Sequence, residues 1–258
     1  MVDIKFDHII HYIDGLTHFE FPGQYLNIQN GGRHEKLGTF NRLIHIDLSY
    51  IELLDQFNKD RLKQQSKSNV GKVSFASSIL ENDHKQGFKK VCFRTNDIEG
   101  LQKDLNARGV ETVGPIDMTR QNKKGQTVEW QLLYIKSPIS PLLSPFFIQW
   151  RQSDEARQEE LESFFQSHLK IDMIAFRTYQ HQAMVKYWQQ WFGMDVLESS
   201  TQSTTLQCPN QSVKFKITEG KDDMIETVTM IDQTITAPVL IRIKGANYQF
   251  IPPVKDKV

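Results

Sequence analysis

The alternation of apolar and polar residues is clearest near the start of the chain. In Ile4–Ile13, "IKFDHIIHYI", period two places Phe6, His8, Ile10 and Tyr12 on one face and Asp7, Ile9, His11 and Ile13 on the other, which predicts a strand. The next segment is broken by Pro22-Gly23, so any helix in it is short. "FNRLIHIDLSYIELL" predicts two strands, or one bent strand, about Asp47-Leu48-Ser49. Residues 58–86 are polar and read as a loop with a short helix near Phe75–Glu81. "FKKVCFRT" is again strand-like. Asp97 then caps a helix with Ile98, Leu101 and Leu105 on one face and Gly109 as its stop. A hairpin turning at Asn122–Gly125 follows, then a proline-broken connection and the closing strand "FFIQWR". Residues Asp154–Glu162 read as a solvated helix face. "KIDMIAFRT" is a strand, "HQAMVKYWQQWFG" an amphipathic helix ending at Gly193, and five or six short strands complete the chain.

The order of these elements carries information. Strand, helix and three strands recur from Lys89 and from Lys170. The unit is blurred at Ile4, where the helix is eroded, and a fourth near Ile225–Ile251 has lost its helix. Such units cannot bury a sheet face alone and must pack together. The expectation is an α+β protein: residues 1–152 form one domain of two units, 153–167 a helical linker, and 168–258 a degenerate copy.

Composition narrows the class. Charged residues make up 24% of 258 and balance at 31 against 31, so no global field steers the chain to nucleic acid or to an acidic membrane. The two cysteines give no disulfide framework and no CxxC metal spacing. The N-terminus lacks the basic and apolar regions of a signal peptide, and no window matches a membrane span, so the expected compartment is the cytoplasm. Neither GxSxG, GxGxxG nor a P-loop occurs.

Glu52 is the first candidate for chemistry, because it sits in the apolar strand "YIELL" on the same face as Tyr50 and Leu54. If that face lines a cavity, the carboxylate needs a partner, and His8 is the natural one. The pair could be metal ligands, or an acid–base pair in which Glu52 fixes the imidazole. Otherwise each is an ordinary strand residue. Gly31-Gly32 permits positive φ and close backbone approach. The His34, Thr39 and Asn41 that follow could hydrogen-bond a small oxygenated ligand or simply satisfy turn backbone. Arg33 could clamp an anion. Trp130 and Trp150 face the cup or pack behind it. The two histidines of "HIIH" point to opposite faces and cannot share a metal.

The stretches "FDHIIHYID", "GGRHEKLGTFNRL", "YIELL", "FRTNDIEGLQKDLNARGV" and "PFFIQW" resemble the glyoxalase-like-domain proteins of the vicinal oxygen chelate superfamily, well over residues 4–151 and in element order only over 168–251. The resemblance implies paired βαβββ units curled into a cup, with metal ligands on the first and last strand of each. His8 and Glu52 match those positions in the first unit, Lys90 and Gln149 in the second, and Met173 with Lys214 or Lys216 in the third. At most half of the usual metal set is therefore present. The implied cofactor is one divalent metal (Zn, Mn, Fe, Ni or Co) or none. His8 and Glu52 are the implied catalytic and metal residues. The implied ligand contacts are Arg33, His34, Thr39, Asn41, Tyr50, Lys90, Gln149 and Trp150. The implied partner is a small molecule, either transformed or merely sequestered as in the resistance proteins of the superfamily. No nucleic acid or membrane is implied, and a homodimer is an open expectation. Met173 is expected in a packed apolar setting.

Overall fold

The computed structural model describes residues 2–81, 83–121, 125 and 127–254. Its elements fall into four units. The first holds β1 (Lys5–Tyr12), β2 (Gln29–His34), β3 (Thr39–His45) and β4 (Tyr50–Gln56), with two single-turn 3-10 helices, Leu16–His18 and Pro22–Gln24, where a long helix would stand. After α1 (Lys59–Gln65) and α2 (Phe75–Glu81), the second unit has β5 (Gly87–Arg94), α3 (Ile98–Ala107), β6 (Glu111–Gln121), β7 (Thr127–Lys136) and β8 (Phe146–Trp150). A connecting helix α4 (Asp154–Leu161) leads to the third, which has β9 (Leu169–Thr178), α5 (His181–Phe192), β10 (Asp195–Ser199), β11 (Ser203–Gln207) and β12 (Lys214–Glu219). The fourth is β13 (Met224–Asp232), β14 (Val239–Ile243) and β15 (Ala246–Ile251), without a helix.

One pairing rule is repeated four times. The first strand of each unit lies parallel to its last: β1 on β4, β5 on β8, β9 on β12 and β13 on β15. Units join in pairs through antiparallel first strands, β1 with β5 and β9 with β13. A single pair, Ile225 with Phe88, links the two pairs into one mixed sheet. The protein is therefore α+β with an open, curled sheet.

The helices form where the sequence supplies caps. Asp97 accepts a hydrogen bond from the Gly100 amide at 2.9 Å and starts α3, which buries Ile98, Leu101 and Leu105. Gly193, at φ 64°, ends α5. The buried face of α5 carries Met184, Trp188, Trp191 and Phe192. These belong to one apolar core that runs through both halves. Phe93 of β5 stands 6.2 Å from Trp188 and 5.4 Å from Phe215 of β12. Halves that share a core in this way should unfold together.

Some expectations need correction. β1 does not keep strict alternation: Phe6 packs with Ile9 in the shared core, whereas Ile10 and Tyr12 pack on the opposite side of the sheet. The cause is a bulge, because Phe6 pairs with Phe93 but His8 already pairs with Cys92, which leaves Asp7 as an extra residue. The helix at Asp154–Glu162 is not only a solvated face, since Arg157 is buried. Met173 is half-buried beside Lys214 and Thr229 rather than packed among apolar groups. The hairpin turn expected at Asn122–Gly125 lies, apart from Gly125, outside the described residues.

Trp188→Ala should cost about 3–5 kcal/mol by opening this core. Denaturant unfolding followed by circular dichroism should still show one transition. Two separated transitions would contradict the shared core.

Candidate active site

The paired sheets of the first two units enclose a cavity of ≈ 200 Å³. Ile10, Met118, Leu132, Phe146 and Ile148 make much of its wall apolar, while His8, Asn41 and Glu52 put polar atoms on one side.

The bulge at Asp7 sets the chemistry of that side. It turns the Asp7 carboxylate beside the next side chain on the strand, and Asp7 Oδ1 lies 2.7 Å from His8 Nδ1. Asp7 is fully buried. Burial alone would raise its pKa, but the His8 hydrogen bond and the charges of Arg157, His8 and Arg94 together outweigh that penalty and hold it below the usual carboxylate value. An ionised carboxylate can only accept, so the proton of His8 sits on Nδ1. The other oxygen accepts from Trp150 Nε1 at 3.1 Å, and Arg157 lies 3.7 Å away. The His8 ring is stacked on Tyr50 at 4.6 Å and meets the edge of Phe146 at 5.4 Å.

Glu52 faces His8 from β4. Its Oε2 stands 3.5 Å from His8 Nε2, and its Oε1 accepts from Asn41 Nδ2 at 2.6 Å. Asn41 is itself held, because its Oδ1 accepts from the Gly32 amide at 2.7 Å. This explains the glycine pair. A Cβ on Gly31 would lie 2.0 Å from Asn41 Oδ1, so β2 can descend on Asn41 only without a side chain there. Close approach is the need, and neither glycine has a positive φ. His8 therefore stands between two carboxylates, with Asp7 on Nδ1 and Glu52 beside Nε2. A proton on Nε2, a ligand hydrogen or a cation can bridge that nitrogen and Glu52.

The other expected contacts divide. His34 and Trp150 line the cavity with Tyr50. Thr39 does not line it; its hydroxyl lies 3.1 Å from His34 Nδ1 and orients that ring. Arg33 is exposed, pairs with Glu35 at 2.9 Å and lies over Phe57. Gln149 points to the opposite side of the sheet, where it accepts from the Ile98 amide at the start of α3. Lys90 is buried outside the cavity and donates to the Ser144 carbonyl at 2.9 Å. The strand register also corrects the second unit's ligand positions. His8 pairs with Tyr50 and Glu52 lies two residues on; Cys92 pairs with Phe146 and Ile148 lies two residues on. Cys92 and Ile148, not Lys90 and Gln149, are thus the counterparts of His8 and Glu52.

Asp7, His8 and Cys92 bring three ligand types within 4.8 Å of one another. Asp7 is already bonded to His8 and Trp150. Burial, reinforced by Asp7 and Glu52, pushes the Cys92 thiol well up and keeps it protonated.

Sequence reasoning missed Asp7, His45, Arg120 and Arg157. For His45 a signal existed, because alternation from Asn41 through Leu43 puts it on the same face.

Burial pushes His45 and His11 each down to about 4. Both stay neutral when folded and take a proton near 6.5 when unfolded. Their stability contribution is complete above about 6.5 and is lost as pH falls towards 4, at up to roughly 1.4 kcal/mol per pH unit for each. Chemical denaturation across this range should show the slope, and His45→Gln should remove about half of it.

A profile described as "Glyoxalase-like domain" matches residues 6–192. A hypothetical protein from Staphylococcus aureus of known structure is 42% identical, with a TM-score of 0.94 over 97% of this chain and 100% of that one. Two more distant structures share the fold. The Mn(II)-bound glyoxalase from Novosphingobium aromaticivorans is 11% identical, with a TM-score of 0.56 over 97% of this chain and 82% of that one. A mutant 4-hydroxymandelate synthase from Streptomyces coelicolor is 9% identical, with a TM-score of 0.54 over 90% and 71%. No curated protein matches the chain significantly. Among the described residues, no helix is long and apolar enough to cross a membrane.

Proposed function

Since the chain belongs to the glyoxalase-like domain family, we propose that its first cup is an enzyme active site for proton transfer on a small oxygenated molecule, with His8 as the base. The supporting observation is the chain of contacts Asp7–His8–Glu52–Asn41, which ends on a mostly apolar cavity. Asp7 fixes the tautomer and steadies the imidazolium that forms. His8 Nε2 takes a proton from a carbon or hydroxyl next to a carbonyl. Glu52, steered by Asn41, receives or returns it. The apolar walls keep water away, which strengthens these charge interactions. A pocket that only sequesters its ligand has no need of a histidine held between two carboxylates on its wall.

A divalent metal fits the same place in part. His8 Nε2 and Glu52 would hold it, an N and O pair suited to Mn, Fe or Zn. Cys92 is protonated and Ile148 has no ligand atom, so the chain offers two ligands there. When bound, the metal would polarise a substrate oxygen as a Lewis acid. The positioning by Asp7, Asn41 and Tyr50 serves either case.

Proton exchange into a broad panel of small carbonyl compounds in D2O, followed by NMR, tests the reading before the substrate is identified. At least one compound should exchange faster than in buffer, and His8→Ala should slow it by about 10²–10⁴-fold. No exchange with any member of the panel would sink the proposal. Elemental analysis of protein purified without chelator or affinity metal, beside His8→Ala, reports on the metal. A near-stoichiometric ion lost in the variant assigns it to His8.

A further inference from the structure

The cavity has a second polar centre that the acid–base pair does not use. His45 is the last residue of β3, Arg157 reaches in from α4, and Arg120 from β6, and all three line the cavity. His45 and Arg157 are each 4% exposed, yet His45 Nδ1 and Arg157 Nη1 have no hydrogen-bond partner among the described residues. Buried polar atoms are nearly always satisfied, so two idle ones on one cavity wall call for an occupant.

The charge count points the same way. Arg157 Nη1 lies 3.7 Å from Asp7 and 3.6 Å from Asp154, too far for hydrogen bonds, and its guanidinium lies 4.5 Å from the Trp150 ring centroid. Arg94 pairs with Asp154 at 3.2 Å. Two arginines and two aspartates therefore balance. Arg120 adds a cation that forms no ion pair among the described residues. Of the carboxylates on the cavity wall, Glu52 is engaged by Asn41 and His8, and Glu160 is exposed and held by Gln152 at 3.0 Å. Arg157 and Arg120 thus both line the cavity with His45, and neither wall carboxylate forms an ion pair with Arg120 among the described residues. Tyr50 contacts the rings of both His45 and His8, at 5.3 Å and 4.6 Å, so the two centres lie one ring apart.

We propose that the substrate is a small carboxylate, with its anionic end on His45, Arg157 and Arg120 and its reacting carbon at His8. This rests on the acid–base reading of His8 and extends it to a substrate class. Charge-assisted hydrogen bonds to a buried guanidinium separate an acid from its neutral isostere. The apolar wall formed by Ile10, Met118, Leu132, Phe146 and Ile148 leaves room for a hydrocarbon body.

The test is a set of matched probes: acetate, butanoate, benzoate, phenylacetate and 3-phenylpropionate, each against its amide, with binding measured by calorimetry or ligand-detected NMR. At least one acid should bind about tenfold tighter than its amide. Arg120→Gln is the variant of choice, because Arg120 is half-buried and forms no ion pair among the described residues, whereas Arg157 balances Asp7 and its loss threatens the fold. The variant should bring acid and amide within about twofold while amide binding is unchanged. Overturning results are no acid preference in any pair, or a preference that survives Arg120→Gln. His8→Ala separates the two readings: it should keep the acid preference while losing proton exchange. A preference for acids without any exchange would overturn the reaction and leave the anion site standing.

Discussion

A histidine held between two carboxylates organises the first cup. Asp7 takes the Nδ1 hydrogen and so aims His8 Nε2 at Glu52, and Asn41 holds the other oxygen of Glu52. Each support has its own support. Trp150 and Arg157 steady Asp7, and the Gly32 amide steadies Asn41. That arrangement is kept by a ring of further contacts, a usual form of pre-organised polarity.

The repeated pairing rule makes that juxtaposition available once and not four times. Every unit places its first strand beside its last, so every unit offers a pair of positions two residues out of step. The first fills them with His8 and Glu52, the second with Cys92 and Ile148, and the third with Met173 and Lys216. Backbone symmetry survives while the side chains at the symmetric positions have diverged, so the histidine–glutamate pair stands in one half and the other shares the core.

Much of the fold was legible because its signals are local. Period-two strands, the Asp97 and Gly193 caps and the recurring element order all report backbone geometry within a few residues. The His8–Glu52 partnership was legible through their strand faces. Asp7 was not, because a bulge breaks the very alternation used to assign faces, and a bulge depends on the pairing strand rather than on its own residues. Lys90 and Gln149 were misplaced for the same reason, since register is decided between strands. Arg157 was hidden by its neighbours: Asp154, Glu155, Glu159 and Glu160 make its helix read as wet, and only tertiary packing turns that one side chain inwards.

The position of Arg157 has a consequence for how the protein is made. The eight strands around the cavity are complete at Trp150, but the cation that balances Asp7 comes seven residues later, on the helix that crosses to the other half. A nascent chain that has released only those strands holds a buried carboxylate without its full counter-charge, and Phe93 without Trp188 and Phe215. During synthesis, then, the pocket cannot mature ahead of the rest. Its final polarity is set late, when the connecting helix docks and the second half closes the core behind it.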